Sequence, residues 1–260
     1  MRHILVVLAS AGFALAQLPK PNAAGVAMGH LHLRVKDPEA HKKVWVDTLG
    51  GKLVKAGPLE LVMFPDVLLA FAKGDPSGGT DDSIVNHLGF KVKDLASTKA
   101  KLTGAGLQIV REMPETKQAF IMFPDGVKVE FSEDAAMAVP IAHHHIHFFT
   151  HQVDEMQAWY AKHFSAVPGM RARFKAADVP GVNLTFSPNE KPTIPSKGRG
   201  VDHIGFEIAG LEAFCKKLEA DGIKLTTAYR KVPALGISIA FLNDPWGATI
   251  ELTEGFDKLK

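Results

Sequence analysis

His30-Leu-His-Leu-Arg-Val, His87-Leu-Gly-Phe-Lys-Val, His145-Ile-His-Phe-Phe and His203-Ile-Gly-Phe-Glu-Ile are four versions of one stretch, with leading histidines 57, 58 and 58 residues apart. Self-similarity at a constant period marks a repeat, each copy being one supersecondary unit. The alternation within each copy predicts a strand with two unlike faces. Helical patterns follow, over Pro38 to Leu49, Leu95 to Thr103, Val153 to Phe164 and Leu211 to Ala220. Asp37 and Asp94 stand where N-caps belong, and Pro38 suits a first helical position. After each helix come two or three short stretches rich in Val, Ile, Leu and Phe, broken by turns such as Pro124-Asp-Gly and Asp244-Pro-Trp-Gly. The chain therefore reads as α+β, with four βαβββ units.

A longer period overlies the short one. The odd copies read His-x-His (His30/His32, His145/His147) and the even copies His-x-Gly (His87/Gly89, His203/Gly205). Only the even units close on a strand ending in an acid and an apolar residue, at Glu130-Phe and Glu251-Leu. The expected parse is a two-unit domain duplicated once, over 25–133 and 139–254. Linkers are expected at Gly74 to Asp82, Ser132 to Pro140 and Ser187 to Gly200.

With 46% hydrophobic residues in a 260-residue chain, a disordered or fibrous protein is excluded. Lys plus Arg number 30 against 28 acids, with no block of like charge, so no nucleic-acid partner is expected. The single cysteine, Cys215, excludes an intrachain disulfide and lies in the helix stripe Leu211, Phe214, Leu218, where it is expected to be buried packing. Met1-Arg2-His3 and the apolar run Ile4 to Ala16 end in the small-x-small site Ala14-Leu-Ala16, which reads as a secretory signal over residues 1–16. The run is shorter than the roughly 20 residues that span a bilayer. A mature chain starting near Gln17, periplasmic or secreted and free of the membrane after cleavage, is expected.

The twelve histidines need an account, because imidazole is the commonest metal ligand. Strand alternation puts His143, His145, His147 and Phe149 on one face, with Ile146 and Phe148 turned to a helix. Likewise Thr249 and Glu251 share a face opposite Ile250 and Leu252. Two imidazoles and a carboxylate on the front of a curved sheet form a facial triad for a divalent metal with open positions. The leading trio is His145, His203 and Glu251, and its equivalent in the first half is His30, His87 and Glu130. His147 is the expected acid/base group, two residues along the strand from His145. His32 is read as a pocket group, and His143 and His144 belong to the strand entrance. His41 and His163, on helices, are expected to face solvent. Arg171, Arg173 and Arg230 are candidates for holding an anionic substrate group.

These four units, their leading histidines and the closing Phe241-Leu-Asn-Asp-Pro-Trp-Gly-Ala-Thr-Ile-Glu251-Leu resemble the vicinal oxygen chelate superfamily of glyoxalase I, extradiol dioxygenases and fosfomycin-resistance transferases. The resemblance spans about Gly25 to Thr253. It implies two tandem glyoxalase-like domains forming cup-shaped, incompletely closed barrels, each around a divalent ion (Fe2+, Mn2+, Zn2+ or Ni2+). It places the family's His-His-Glu pattern on His145, His203 and Glu251, or on His30, His87 and Glu130. Units of this superfamily pair within a half or exchange between halves, and exchange would group His30 with His203 and Glu251. Glyoxalase I carries a further acid in the odd units, where Leu68-Leu-Ala-Phe71 and Asn183-Leu-Thr-Phe186 have none. The dioxygenases carry a tyrosine where this chain has Phe241.

The function expected is an exported metal-dependent enzyme, of lyase, isomerase or dioxygenase type, that chelates neighbouring oxygens of a small-molecule substrate. The alternative is a non-catalytic small-molecule or drug-binding protein of the same fold. Either is expected as a monomer or homodimer.

Overall fold

A computed structural model describes residues 17–259, so the signal segment 1–16 lies outside the described residues. Unit one runs β1 (Val26–Val35), α1 (Pro38–Lys42), a π-helical stretch (Lys43–Thr48), β2 (Lys52–Ala56), β3 (Leu59–Phe64) and β4 (Val67–Lys73). Unit two is β5 (Val85–Val92), α2 (Leu95–Gly104), β6 (Gln108–Met113), β7 (Gln118–Phe123) and β8 (Val127–Glu133). Unit three is β9 (Ile141–Thr150), α3 (Val153–Phe164), β10 (Val167–Arg171), β11 (Phe174–Val179) and β12 (Val182–Pro188). Unit four is β13 (Val201–Ile208), α4 (Leu211–Ala220), β14 (Leu225–Val232), β15 (Ile237–Asn243) and β16 (Thr249–Glu254). Among the described residues no helix is long and apolar enough to cross a membrane.

Two eight-stranded mixed sheets result, in the orders β14-β15-β16-β13-β1-β4-β3-β2 and β10-β11-β12-β9-β5-β8-β7-β6. The first joins units one and four and the second joins units two and three, so neither sheet is confined to one half of the chain. Each curls into a cup, and its end strands do not pair. The antiparallel seams β1·β13 and β5·β9 have matching registers, His32 opposite His203 and His30 opposite Gly205, then His147 opposite His87 and His145 opposite Gly89. Parallel pairing then sets Gly205 beside Glu251 and Gly89 beside Glu130.

The backs of the sheets carry the main core. Ile146 and Phe148 of β9 are fully buried with Tyr160 and Phe164 of α3, as are Ile204 and Phe206 of β13 with Leu218 of α4. Burying such side chains contributes about 1.5–3 kcal/mol each, and it leaves the front face to the polar residues. Asp37 accepts from Glu39 N and Asp94 from Ser97 N, as expected of N-caps. The first helix departs from expectation by changing to a π-helical turn after Lys42, with Trp45 fully buried against Phe64, Phe90 and Phe123.

Candidate metal centres

The exchanged pairing brings the front-face histidines and glutamates together in two clusters. In the first cup, His30 Nε2 lies 2.9 Å and His203 Nε2 2.8 Å from Glu251 Oε2, while the His32 ring sits 4.3 Å from that of His203. In the second, His87 Nε2 lies 3.0 Å and His145 Nε2 3.3 Å from Glu130 Oε2, and His147 Nδ1 is 3.1 Å from His87 Nε2. In each cluster the four ligand atoms lie within 4.8 Å of one another. His30 crosses Gly205 to reach Glu251, and His145 crosses Gly89 to reach Glu130. A Cβ on either glycine would overlap the imidazole above it. That is why the even copies read His-x-Gly.

The expected trio therefore divides. His145 belongs with His87, Glu130 and His147, and His203 and Glu251 belong with His30 and His32. His30, His87 and Glu130 likewise do not form one site. The cause is that β9 pairs with β5 and β13 with β1, which puts the two halves' histidines on one seam. His147, expected as an acid/base beyond the ligands, stands among them, and so does His32.

Whether these residues suit a divalent ion is decided by their outer atoms. His203 Nδ1 donates to Asp202 Oδ1 at 2.6 Å and His87 Nδ1 to Asn86 Oδ1 at 2.9 Å, and His147 Nε2 lies 2.7 Å from Ser187 Oγ. A neutral imidazole donates through one nitrogen and offers a lone pair through the other, so the contacts of His203 and His87 turn the remaining nitrogen inward as an acceptor when the ring is neutral. Each imidazole nitrogen within about 3 Å of the carboxylate oxygen then needs a proton or a shared cation between the two atoms. His145 Nε2 is buried, lacks hydrogen-bond geometry to Glu130 at 3.3 Å, and has no other partner. The donor set fits a divalent metal, with three imidazoles and one carboxylate in each cup.

Burial lowers the pKa of His87, His145 and His147 and takes His32 to about 3, which keeps these rings neutral and ready to donate a lone pair. For His203, burial is outweighed by its bonds to Asp202 and Glu251, and the pKa is raised. Burial alone would raise Glu130 and Glu251, yet the neighbouring imidazoles hold both well below the usual carboxylate range.

The remaining candidates fall as follows. His143 Nδ1 donates to Gly181 O at 3.2 Å, and His144 Nδ1 lies 3.0 Å from His145 Nδ1, at the entrance strand as expected. Cys215 is buried. His41 and His163 are not solvated: His41 is fully buried with Nε2 3.2 Å from Asp125 Oδ2, and His163 packs on Trp159. Those helices lie on the sheets with these side chains on their inner faces. Arg171 Nη2 is 2.9 Å from Glu130 Oε1, and Arg173 lies over the Phe174 ring.

The profile of the Glyoxalase/Bleomycin resistance protein/Dioxygenase superfamily matches residues 27–131 and 165–252. The chain belongs to this superfamily. Among solved structures, glyoxalase I from Zea mays is similar at a TM-score of 0.66 and 18% identity, covering 90% of this chain and 94% of that one. A Bacillus subtilis protein assigned as a dioxygenase is similar at 0.65 and 14%, covering 93% and 88%. At these identities the likeness is one of fold. No curated protein sequence matches the chain.

Within the superfamily fold, two departures stand beside the centres. Phe241 and Phe120 face their glutamates across the register, with rings 5.3 and 5.2 Å from His203 and His87, so neither cup has a tyrosine there. The odd units put Ala70 and Thr185 opposite His32 and His147, with no acid. The imidazoles of His32 and His147 offer a fourth nitrogen or oxygen donor atom in the two clusters instead. The sequence reading passed over Asp202 and Asn86, although a polar residue directly before the histidine in both even copies was a signal for the group that orients it.

Proposed function

We propose that this chain is an exported metal-dependent enzyme that holds a small substrate by two neighbouring oxygens and works as a lyase or isomerase through an enolate-like or alkoxide-like oxyanion. The observation that carries this reading is the convergence of inward-turned imidazole nitrogens on Glu130 Oε2 and Glu251 Oε2. A bound divalent ion would supply Lewis-acid stabilisation of the oxyanion. His30, His32, His203 and Glu251 would hold one ion, and His87, His145, His147 and Glu130 a second. The chain's own groups prepare these ligands. Asp202, Asn86 and Ser187 fix ring orientation, so little reorganisation is left for the moment of binding. Buried walls exclude water from the centres. Phe120 and Phe241 offer no hydroxyl for proton handling in an oxidative cleavage, which favours the non-oxidative reaction.

Metal analysis of purified protein tests the reading. The expected content is two divalent ions per chain, with turnover of a panel of molecules carrying oxygens on adjacent carbons lost on chelation and restored by the ion. Protein without stoichiometric metal overturns it, and saturable binding without turnover would leave a binding protein. Export is supported by Ile4 to Ala16 and predicts an exported chain whose intact mass begins at Gln17. Retention of Met1 to Ala16 in exported material would refute that.

A further inference from the structure

The two centres share their donors and differ in the charges around them. Matched strand registers put Arg171 where the first cup has Ala56, and Gln118 where it has Ile239. The residue before the even-copy histidine differs as well, Asn86 in the second cup and Asp202 in the first.

In the second cup both oxygens of Glu130 are engaged. Oε2 lies beside His87 and His145, while Oε1 accepts from Arg171 Nη2 at 2.9 Å and from Gln118 Nε2 at 2.7 Å. The Glu130 side chain is 2% exposed and that of Arg171 15%, so little solvent screens this pair. Asn86, which orients His87, is neutral. Lys128, whose charge also reaches His87, is paired with Asp81. The carboxylate of this cluster is therefore balanced by a guanidinium from the same cup.

The first cup has the reverse balance. Glu251 Oε2 lies beside His30 and His203, and no side chain among the described residues donates to its Oε1. The donor groups are also less enclosed, with His32 half-buried and the Glu251 side chain 11% exposed. Asp202 adds a second carboxylate, joined to His203 Nδ1. Its partner Lys197 has a side chain 64% exposed, where solvent screens the ammonium. Two carboxylates thus stand at this centre, and the cation paired with them is a solvated one.

The consequence is electrostatic. A divalent ion on Glu130 Oε2 would stand one carboxylate away from a fixed guanidinium, where repulsion is poorly screened, and would have only one Glu130 oxygen to take. An ion on Glu251 would meet an excess of negative charge and a second oxygen that no side chain holds. Resting on the reading that each cluster takes a divalent ion, we infer that Arg171 is a built-in counter-cation of the second centre, so that the first centre binds its ion more tightly and fills first. The second fills only at higher ion concentration.

Mn2+ alone is the probe, titrated by calorimetry into protein freed of metal by chelation. His87→Ala leaves only the first centre intact, and His203→Ala only the second. The first is expected to bind Mn2+ at least about tenfold more tightly than the second, the size of effect that a group bonded to a ligand exerts on metal affinity. The native protein should show the same two steps in one titration. Adding Arg171→Gln to His203→Ala removes the charge and should tighten Mn2+ at least about tenfold, whereas Arg171→Lys keeps the charge and should leave binding weak. Thermal melts check folding. Should Arg171→Gln fail to fold, Asn86→Asp, which shifts the same charge balance at nearly unchanged shape, takes its place with the same expectation. Equal affinities at the two centres, or a folded charge variant that binds Mn2+ no more tightly than its parent, overturns this inference alone. Absence of Mn2+ binding from the native protein overturns the reading it rests on as well.

Discussion

Gly205 and Gly89 have no side chain because an imidazole from the neighbouring strand lies where one would be. Each is the middle position of a row across three strands, His30-Gly205-Glu251 and His145-Gly89-Glu130. Gly205→Ala would push the His30 ring off Glu251 Oε2, a small-to-large change of the kind that costs roughly 1–3 kcal/mol in a packed interior. The expected outcome is a lower melting temperature and loss of one ion of two per chain. Metal analysis showing both ions retained would refute the geometry. The same residues explain a sequence feature that periodicity alone could not. His-x-Gly in even copies and His-x-His in odd ones are partners on one seam, the glycine making room and the second histidine adding a donor.

At the scale of elements, β13 carries a second buried acid. Glu207 Oε1 accepts from Gly255 N at 2.6 Å, and its Oε2 accepts from the Thr253 hydroxyl at 2.8 Å, tying the strand to the turn that carries Phe256. Burial raises its pKa to about 7, against those bonds, which favour the charged form. A raised acid binds its proton more tightly in the fold than in the unfolded chain. Its stability contribution is therefore full below about pH 4.5 and is lost as pH rises toward about 7, by at most about 3 kcal/mol. In Glu207→Gln the amide oxygen can accept from Gly255 N and the amide nitrogen can donate to the Thr253 hydroxyl, which donates onward to Phe206 O. The variant should match the native protein near pH 4.5 and exceed it at pH 8 in denaturant melts. A constant difference across that range would show that Glu207 does not titrate in the window. The helices divide in how well they were legible. Val153–Phe164 and Leu211–Ala220 fall where the 3.6-residue pattern puts them. The first changes to a π-helical stretch, since burial of Trp45 among three phenylalanines outweighs local helix geometry.

Across the whole molecule, His30 and Glu251 stand 221 residues apart in sequence and share a centre. Metal content therefore has a simple non-additive signature. His30→Ala and His203→Ala should each remove the same ion, and the double variant no more than one. His30→Ala combined with His87→Ala should remove both. Pairing within halves would reverse these results, so ion counts on the two double variants decide between them.

The sequence by itself determined the units, most of their helices and strands and the face on which each strand histidine of the repeat stands, because these follow from local periodicity and from a repeat that spans the chain. It did not determine which of the front-face histidines and glutamates come together. Four similar units present similar apolar backs and similar edges, so either pairing satisfies the pattern. Only the tertiary structure decided that β1 meets β13 and β5 meets β9. The same holds for His41, whose helical position looked solvated until the turn bearing Asp125 was folded against it. It also holds for the contrast between the cups: Arg171 and Ala56 are unremarkable in sequence, and they become opposites only when the registers set them at the same place in two like sheets.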